Sequence, residues 1–560
     1  MGTYLNPGKA DFEEAINSKI FVDKTEMIMY LNSVVKTKQK YVSVLRPRRF
    51  GKTMAADMIC AYYDRKAESR ELFANRKLAG CEPYKSGEKE VFWDEYLGKF
   101  DVIRLVMTKF IKKNNNVTDA LSKMQKLIVR DIKKEYPDID CFDEEDLIQT
   151  IEDVYSENSR QLVIVLDEWD AVFRERQNDK EGQKEYLDFL RDLMKDNNNI
   201  ALAYMTGILP IKKYGKHSAL NMFTEYSMMF PRQLARYTGF TEEEVQNLCK
   251  KYGRDYQAVS DWYDGYEVSD IMPPDPDHQE LRATGKSPEA VRYSLYSPLS
   301  VVEATTTGII KDYWNKTETY EALAEFIEMD YDGLKEAVAF LMDGGRLAID
   351  TSTYQNDMTT FHGRDDVLSL LIHLGYLGFD DKKSEVFIPN REILDEFRSS
   401  TKGVEWKPVF RSFHLSQEIL KATLDKDSDK VAELLEEAHN RAGNKTYNDE
   451  AALSYAIQLA YYAAQMYYTT ILELDSGKGY VDIAYLPAPK YPALPALVVE
   501  LKYNRSAETA MSQIKRQKYP ERLIHYKGNM LLVAIDYDKD LPNTAPEFKH
   551  HKCIIEADCC

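Results

Sequence analysis

Two sets of residues in this chain have the types and spacing to do chemistry. The first is Arg46-Pro47-Arg48-Arg49-Phe50-Gly51-Lys52-Thr53, between the apolar run Tyr41 to Leu45 and the Ala/Met-rich stretch Met54 to Tyr63. That order predicts strand, phosphate loop, helix. Backbone N–H groups at a helix N-terminus cradle phosphate oxygens, a lysine at position 52 reaches the β- and γ-phosphates, and a hydroxyl at position 53 ligates Mg²⁺. Arg46 stands where the usual G-x-x-x-x-G-K-[ST] pattern has its first glycine, so these residues alone leave open a chance Gly-Lys-Thr in a basic turn. A second acidic signal narrows this. The buried-type run Gln161 to Leu166 ends in Asp167-Glu168-Trp169-Asp170, where Asp167 would hold Mg²⁺ and Glu168 would orient or deprotonate the attacking water. ATP with Mg²⁺ is the expected ligand. Thr206, at the exit of the run Ile200 to Gly207, is open to two readings, a sensor of the γ-phosphate or an ordinary turn or N-cap threonine.

The second set lies near the C-terminus. Glu500 and Lys502 sit two apart on the run Ala496 to Lys502, so a strand puts them on one face. Asp482, on the neighbouring run Tyr480 to Tyr485, can meet them, and Glu450 opens the preceding helix. Two carboxylates can hold Mg²⁺ (or Mn²⁺) against a phosphodiester transition state while the lysine positions water or neutralises charge. Gln513, on the basic helix Ala507 to Tyr519, completes the order helix-Glu, strand-Asp, strand-Glu-x-Lys, helix-Gln. Glu-x-Lys alone is common by chance, and a surface ion pair at a strand end is the competing reading.

The elements that must carry these groups alternate. Phe100 to Val106, Gln161 to Leu166 and Ile200 to Gly207 read as strands separated by helices at Val117 to Tyr136 and Tyr186 to Met194, which predicts a parallel sheet with its ligand at the strand C-termini. Thr241 with Glu244 is a capping box. Val367 to Leu377 is an apolar helix followed by a hairpin and a helix, a winged-helix-like module that either binds DNA or packs between domains. Gln417 to Arg441 reads as a helical connector, and Ala451 to Tyr468 as one helix. The expected division is 1–240 P-loop ATPase domain, 241–400 helical region, 401–445 connector and 446–560 nuclease-like domain.

At 560 residues the chain is too long for one core. A hydrophobic fraction of 44% with 30% charged residues excludes a disordered or membrane-embedded class. Seven scattered cysteines, and an N-terminal segment with Lys9, Asp11, Glu13 and Glu14 in place of a signal peptide's apolar core, predict a cytoplasmic protein. His550-His551-Lys552-Cys553 and Cys559-Cys560 match no zinc template and read as a frayed tail. The net charge of −18 argues against unspecific coating of nucleic acid, leaving local patches at Lys36, Lys38, Lys40, Arg46, Arg48 and Arg49 and at Lys515, Arg516, Lys518 and Arg522.

These stretches, together with Phe21 to Thr25, Trp262-Tyr263-Asp264-Gly265-Tyr266 and Ile388-Pro389-Asn390, resemble in order the bacterial family that joins an AAA-ATPase-like domain to a C-terminal PD-(D/E)XK nuclease-like domain. Arg46 is then a family feature. Tyr480 departs from the Arg expected after Gly479. The expected fold is α/β: a P-loop NTPase parallel sheet, a helical and winged-helix-like middle region, and a restriction-endonuclease-like α/β domain. The expected function is an ATPase coupled to a metal-dependent DNase, with DNA as partner and no membrane association; a homo-oligomer is left open. Arg191, Arg232 and Arg236 are candidates for an arginine finger. A different class stays open, a nucleotide-switched protein that holds DNA or a partner without cutting; a P-loop small-molecule kinase leaves the C-terminal residues unexplained.

Overall fold

A computed structural model describes the chain except for residues 1, 87–88, 144, 196, 212–219, 272–289, 315–319, 330, 332, 355–357, 404–405, 443–449, 476–479, 489–490, 517–522, 524–525, 527, 540–548 and 559–560. The chain forms two compact units, Met1–Leu334 with Gly344–Ser400, and Lys335–Asp343 with Thr401–Cys560.

In the first unit, β1 (Tyr41–Leu45) leads through the phosphate loop into α1 (Lys52–Tyr63). Next come β2 (Asp101–Val106), α2 (Met107–Ile111), α3 (Val117–Glu135), β3 (Leu162–Asp167), α4 (Ala171–Glu175), α5 (Lys180–Met194), β4 (Ile200–Gly207) and β5 (Thr224–Tyr226). The strand order is β2-β3-β4-β1-β5, all neighbours parallel. Every residue of β1, β3 and β4 is buried, which is why they read as continuous apolar runs. Each fully buried Val, Leu or Ile is worth about 1.5–3 kcal/mol. The register sets Val44 beside Thr206 and Leu166 beside Met205, so the phosphate loop, Asp167 and Thr206 leave the sheet at one edge.

The middle of the unit holds α6 (Glu242–Tyr252), α7 (Tyr256–Tyr263), the antiparallel pair β6 (Tyr266–Ile271) and β7 (Ala290–Tyr296), and α8 (Pro298–Thr307). The capping box is present: Thr241 accepts the Glu244 N–H, and Glu244 accepts the Thr241 N–H at 2.9 Å. The same Glu244 carboxylate receives the Lys24 ammonium at 2.6 Å. The expected helix, hairpin and helix are α9 (Arg364–Leu374), β8 (Gly378–Asp380) with β9 (Glu385–Phe387), and α10 (Arg391–Ser400). α9 is buried continuously from Asp366 to Leu374 and so serves as a core helix. Two of the family-like motifs meet here. Gly265 has φ 130°, and a Cβ on it would stand 1.8 Å from the Pro389 carbonyl oxygen.

The second unit is built on β10 (Tyr468–Asp475), β11 (Tyr480–Pro487), β12 (Ala496–Tyr503), β13 (Met530–Tyr537) and β14 (His551–Ala557), in that order. Only β12 and β13 run parallel; the other neighbours are antiparallel. Leu497, Val499 and Leu501 face α11 (Trp406–Leu424), α12 (Ser428–Ala442) and α13 (Glu450–Ala460). The stretch read as a connector is therefore core of this unit. Val498 and Ala534 face Ala510, Met511 and Ile514 of α14 (Ala507–Arg516) on the other side. Two expectations are corrected. The helix read through Tyr468 is α-helical to Ala460 and continues as a 3-10 turn, Tyr462–Met466, before Tyr468-Thr469-Thr470-Ile471-Leu472 enters a strand. The supposed frayed tail supplies β14, whose ladder covers the open edge of β13, although Cys559 and Cys560 lie outside the described residues. No helix among the described residues is long and apolar enough to cross a membrane.

Candidate functional site

The phosphate loop turns on two residues in the left-handed region, Arg49 (φ 66°) and Gly51 (φ 85°), and Gly51 caps α1. Phe50 is buried edge-on against Tyr266, with centroids 5.3 Å apart, and its carbonyl accepts the Gly239 N–H at 3.0 Å. Lys52 is buried and donates to the carbonyls of Arg46 (2.8 Å) and Pro47 (2.7 Å). Burial pushes its ammonium down to about 8, with nearby Asp170, Asp167 and Glu168 opposing the shift and Arg174 reinforcing it. Thr53 is exposed on the first turn of α1.

This loop borders a cavity of about 690 Å³, within the range that takes nucleotide-sized ligands. Its polar wall includes Lys52, Thr53, Thr108, Glu168, Asp170 and Arg174; Arg48 and Arg49 also line it. Its apolar wall includes Ile20, Val22, Met58, Phe240, Leu299 and Val302. Arg46 is not in the lining. It is fully buried, and its Nη1 donates to the carbonyls of Leu45 (2.9 Å) and Tyr226 (2.7 Å), tying the loop to β5. Its Nε and Nη2 find no partner among the described residues, and burial lowers its pKa to about 10. The basic patch around the loop is thus broken up, since the Lys40 ammonium is also tied down, to the carbonyls of Asn197 and Ile200.

Asp167 lies beneath the cavity, outside its lining. One carboxylate oxygen accepts the Thr206 hydroxyl and the other Arg104 Nη2 at 3.1 Å, while Arg104 also meets Asp57 at 2.9 Å. Thr206 is buried in the same way and stays out of the lining. Glu168, at φ 54°, turns into the cavity wall and accepts the Thr108 hydroxyl. Asp170 accepts Ile208 N–H and Leu209 N–H at 3.0 Å each and Arg174 Nε at 3.2 Å, all on Oδ2. Its Oδ1 is buried without a partner among the described residues. Gly207 permits this packing: a Cβ there would stand 2.5 Å from Trp169 Cδ1. Thr108, Asp170 and Arg174 escaped the sequence reading as site residues. Their signals were Asp170 inside Asp167-Glu168-Trp169-Asp170, Arg174 one helical turn on, and Thr108 just past the strand beside β3. None of Arg191, Arg232 and Arg236 lines the cavity; Arg191 pairs with Asp188 and Asp192 on its own helix.

In the second unit, the β11–β12 ladder pairs Ile483 with Val499, and one step further along the two strands come Asp482 and Glu500. Asp482 Oδ2 accepts the Leu501 N–H at 2.7 Å. Glu500 is buried, and Lys502 Nζ donates to its Oε1 at 3.0 Å and to the Leu501 carbonyl at 2.9 Å. Glu500 and Lys502 alternate with Leu501 and share the face that α14 covers; Gln513 is half-buried on α14. Glu450 opens α13, but its side chain lies outside the described residues. No group of three or more His, Cys, Asp or Glu side chains able to hold a metal occurs among the described residues. The donor set brought together is two carboxylates beside a lysine, hard oxygen ligands that suit Mg²⁺ or Mn²⁺.

Residues 7–215 match the family described as Predicted AAA-ATPase, and residues 451–544 match the PD-(D/E)XK nuclease superfamily. The chain thus joins an AAA-ATPase-like domain to a domain of the PD-(D/E)XK nuclease superfamily. No curated protein matches it. Similar solved structures include the Aeropyrum pernix ORC2 protein in ADPNP–ADP complexes (12% identity over 68% of this chain and 96% of that one, TM-score 0.26). Others are Cdc6p from Pyrobaculum aerophilum (10%, 69% and 93%, TM-score 0.24) and the Aeropyrum pernix ORC1 protein in complex with DNA (12%, 71% and 98%, TM-score 0.24).

Proposed function

We propose that this chain is a cytoplasmic ATPase coupled to a metal-dependent DNA nuclease. The observation that carries the reading is the cavity itself, where a buried lysine, a helix N-terminus and a glutamate on a strained turn meet beside an apolar wall. Lys52 exchanges its two loop carbonyls for the β- and γ-phosphates, and Thr53 offers its hydroxyl to Mg²⁺. Asp167, through its hold on Thr206 and Arg104, keeps the floor of the site in place and would hold Mg²⁺ through its hydration shell. Glu168, released from Thr108, takes the proton of the attacking water. The apolar wall is suited to the base.

In the second unit Asp482 and Glu500 would hold the divalent metal, with Glu450 in support; when bound, the metal stabilises negative charge on the phosphodiester. Lys502 then moves from Glu500 toward the nucleophile, and Gln513 orients water or the phosphate. DNA is the substrate this arrangement suits.

A second reading, a nucleotide-switched DNA- or protein-binding module, draws on one observation: Lys502 is folded onto Glu500 and Asp482 onto a backbone N–H. The test is cleavage of linear and single-stranded DNA with Mg²⁺ or Mn²⁺, with and without ATP, for the wild type, Asp482→Ala and Lys52→Ala. Cleavage should vanish in Asp482→Ala, and only its ATP-dependent part in Lys52→Ala. ATP turnover without cleavage under any condition would favour the binding module.

A further inference from the structure

Hydrolysis of ATP needs a cation that meets the γ-phosphoryl group as charge builds on it, and Lys52 alone bridges toward the β-phosphate. Outside the phosphate loop, the arginine lining the cavity is Arg174, on the short helix α4 that follows Asp167 and Glu168. Its side chain is only 8% exposed, so it is not a solvated surface charge. Its Nε is anchored on Asp170, which is itself held by the N–H groups of Ile208 and Leu209. Its two terminal nitrogens make no hydrogen bond to the described residues. A guanidinium fixed at Nε with its terminal nitrogens unspent is pre-organised for bidentate contact with phosphoryl oxygens. Arg174 and Lys52 both line the cavity, and the charge on Arg174 contributes to the lowering of the Lys52 ammonium.

We propose that Arg174 is the transition-state arginine of this ATPase, supplied by the same chain that carries Lys52. The proposal rests on the reading of the cavity as an ATP site. Water attacks the γ-phosphorus, the bond from that phosphorus to the β–γ bridging oxygen breaks, and the water's proton passes to the Glu168 carboxylate. ADP and inorganic phosphate leave, and the proton is returned to solvent. Arg174 takes the equatorial γ-oxygens during that transfer, while Asp170 holds its Nε.

The test uses the full chain with Mg-ATP. Equilibrium binding of a fluorescent ATP analogue and single-turnover hydrolysis are measured for the wild type, Arg174→Gln, Arg174→Lys and Lys52→Ala. Gln keeps a donor for Asp170, so Arg174→Gln should fold and bind ATP within about threefold of wild type, yet hydrolyse it at least ~10³-fold more slowly, the lower end of what a transition-state arginine contributes. It should also lose the tightening of ADP by aluminium fluoride, which a merely structural role would spare; Arg174→Lys should recover part of both. Mixing Arg174→Gln with Lys52→Ala should restore nothing. Three results would overturn the assignment: hydrolysis by Arg174→Gln within threefold of wild type, loss of ATP binding in step with rate, or rescue on mixing, which would mean a finger from another chain. A wild type that binds no ATP would overturn the reading of the cavity and this proposal together.

Discussion

The two sites hold their acids in opposite ways. Around the nucleotide cavity the three acids between positions 167 and 170 are braced by neutral donors or an arginine: Asp167 by Thr206 and Arg104, Glu168 by Thr108, Asp170 by two backbone N–H groups and Arg174. The space in front of them stays open. In the nuclease-like domain the lysine of the site closes directly on the buried Glu500 at 3.0 Å. The first arrangement has its acids held in place beside an open space; under the proposed function the second would exchange an ion pair for a metal ion. Braced sites spend little reorganisation on binding, whereas a collapsed one ties binding to a rearrangement.

The strongest way to break this contrast is Glu168→Gln. A braced base should be needed for chemistry alone, so ATP binding stays within a few-fold while single-turnover hydrolysis drops by ~10²–10⁴. Equal losses of both would mean that Glu168 shapes the cavity itself. Lys502→Met probes the collapsed site. Removing one partner of a buried pair costs about 3–5 kcal/mol, so its denaturation midpoint in EDTA should fall clearly below wild type. Millimolar Mg²⁺ should recover much of the difference, and no recovery would argue that the carboxylates take no metal.

Gly207→Ala tests the bracing from behind. The added methyl meets Trp169 and approaches Asp170 Oδ1, an overpacking worth about 1–3 kcal/mol, read as a lower Tm together with weaker hydrolysis. The smallest effect concerns pH. Burial lowers the Lys52 ammonium from its ordinary value to about 8 in the free protein. Phosphate binding needs the ammonium, so ATP affinity should be flat below pH 8 and fall up to tenfold per unit above it. Lys52→Arg, which cannot deprotonate in that range, should remove the slope.

Much of this was legible because strand burial leaves a plain trace. The runs 41–45, 162–166 and 200–207 are apolar because helices cover both faces of the sheet, and such strands point their exits at one edge. The alternation in Ala496 to Lys502 likewise placed Glu500 with Lys502. Other features depend on contacts that sequence does not record. Arg46 reads as one more cation of a basic loop, yet Tyr226, 180 residues further on, provides the carbonyl that draws it into the sheet. Arg174 looks like a helix-surface charge until Asp170 and the cavity are placed around it. The alanines and tyrosines from 451 to 468 favour helix locally, and only the β11 edge converts the last of them to strand. β14 was missed because its short, charged run gains its strand character from β13.

The meeting of Gly265 with the Pro389 carbonyl has a consequence for how this chain can vary. Two positions 124 residues apart share one volume, and it is already full with no side chain at one of them. The residue types allowed at 265 are therefore decided by backbone at 389, so the loop before β6 and the loop before α10 drift together or not at all. Any graft, insertion or domain exchange that separates them replaces a fitted pair with two strangers.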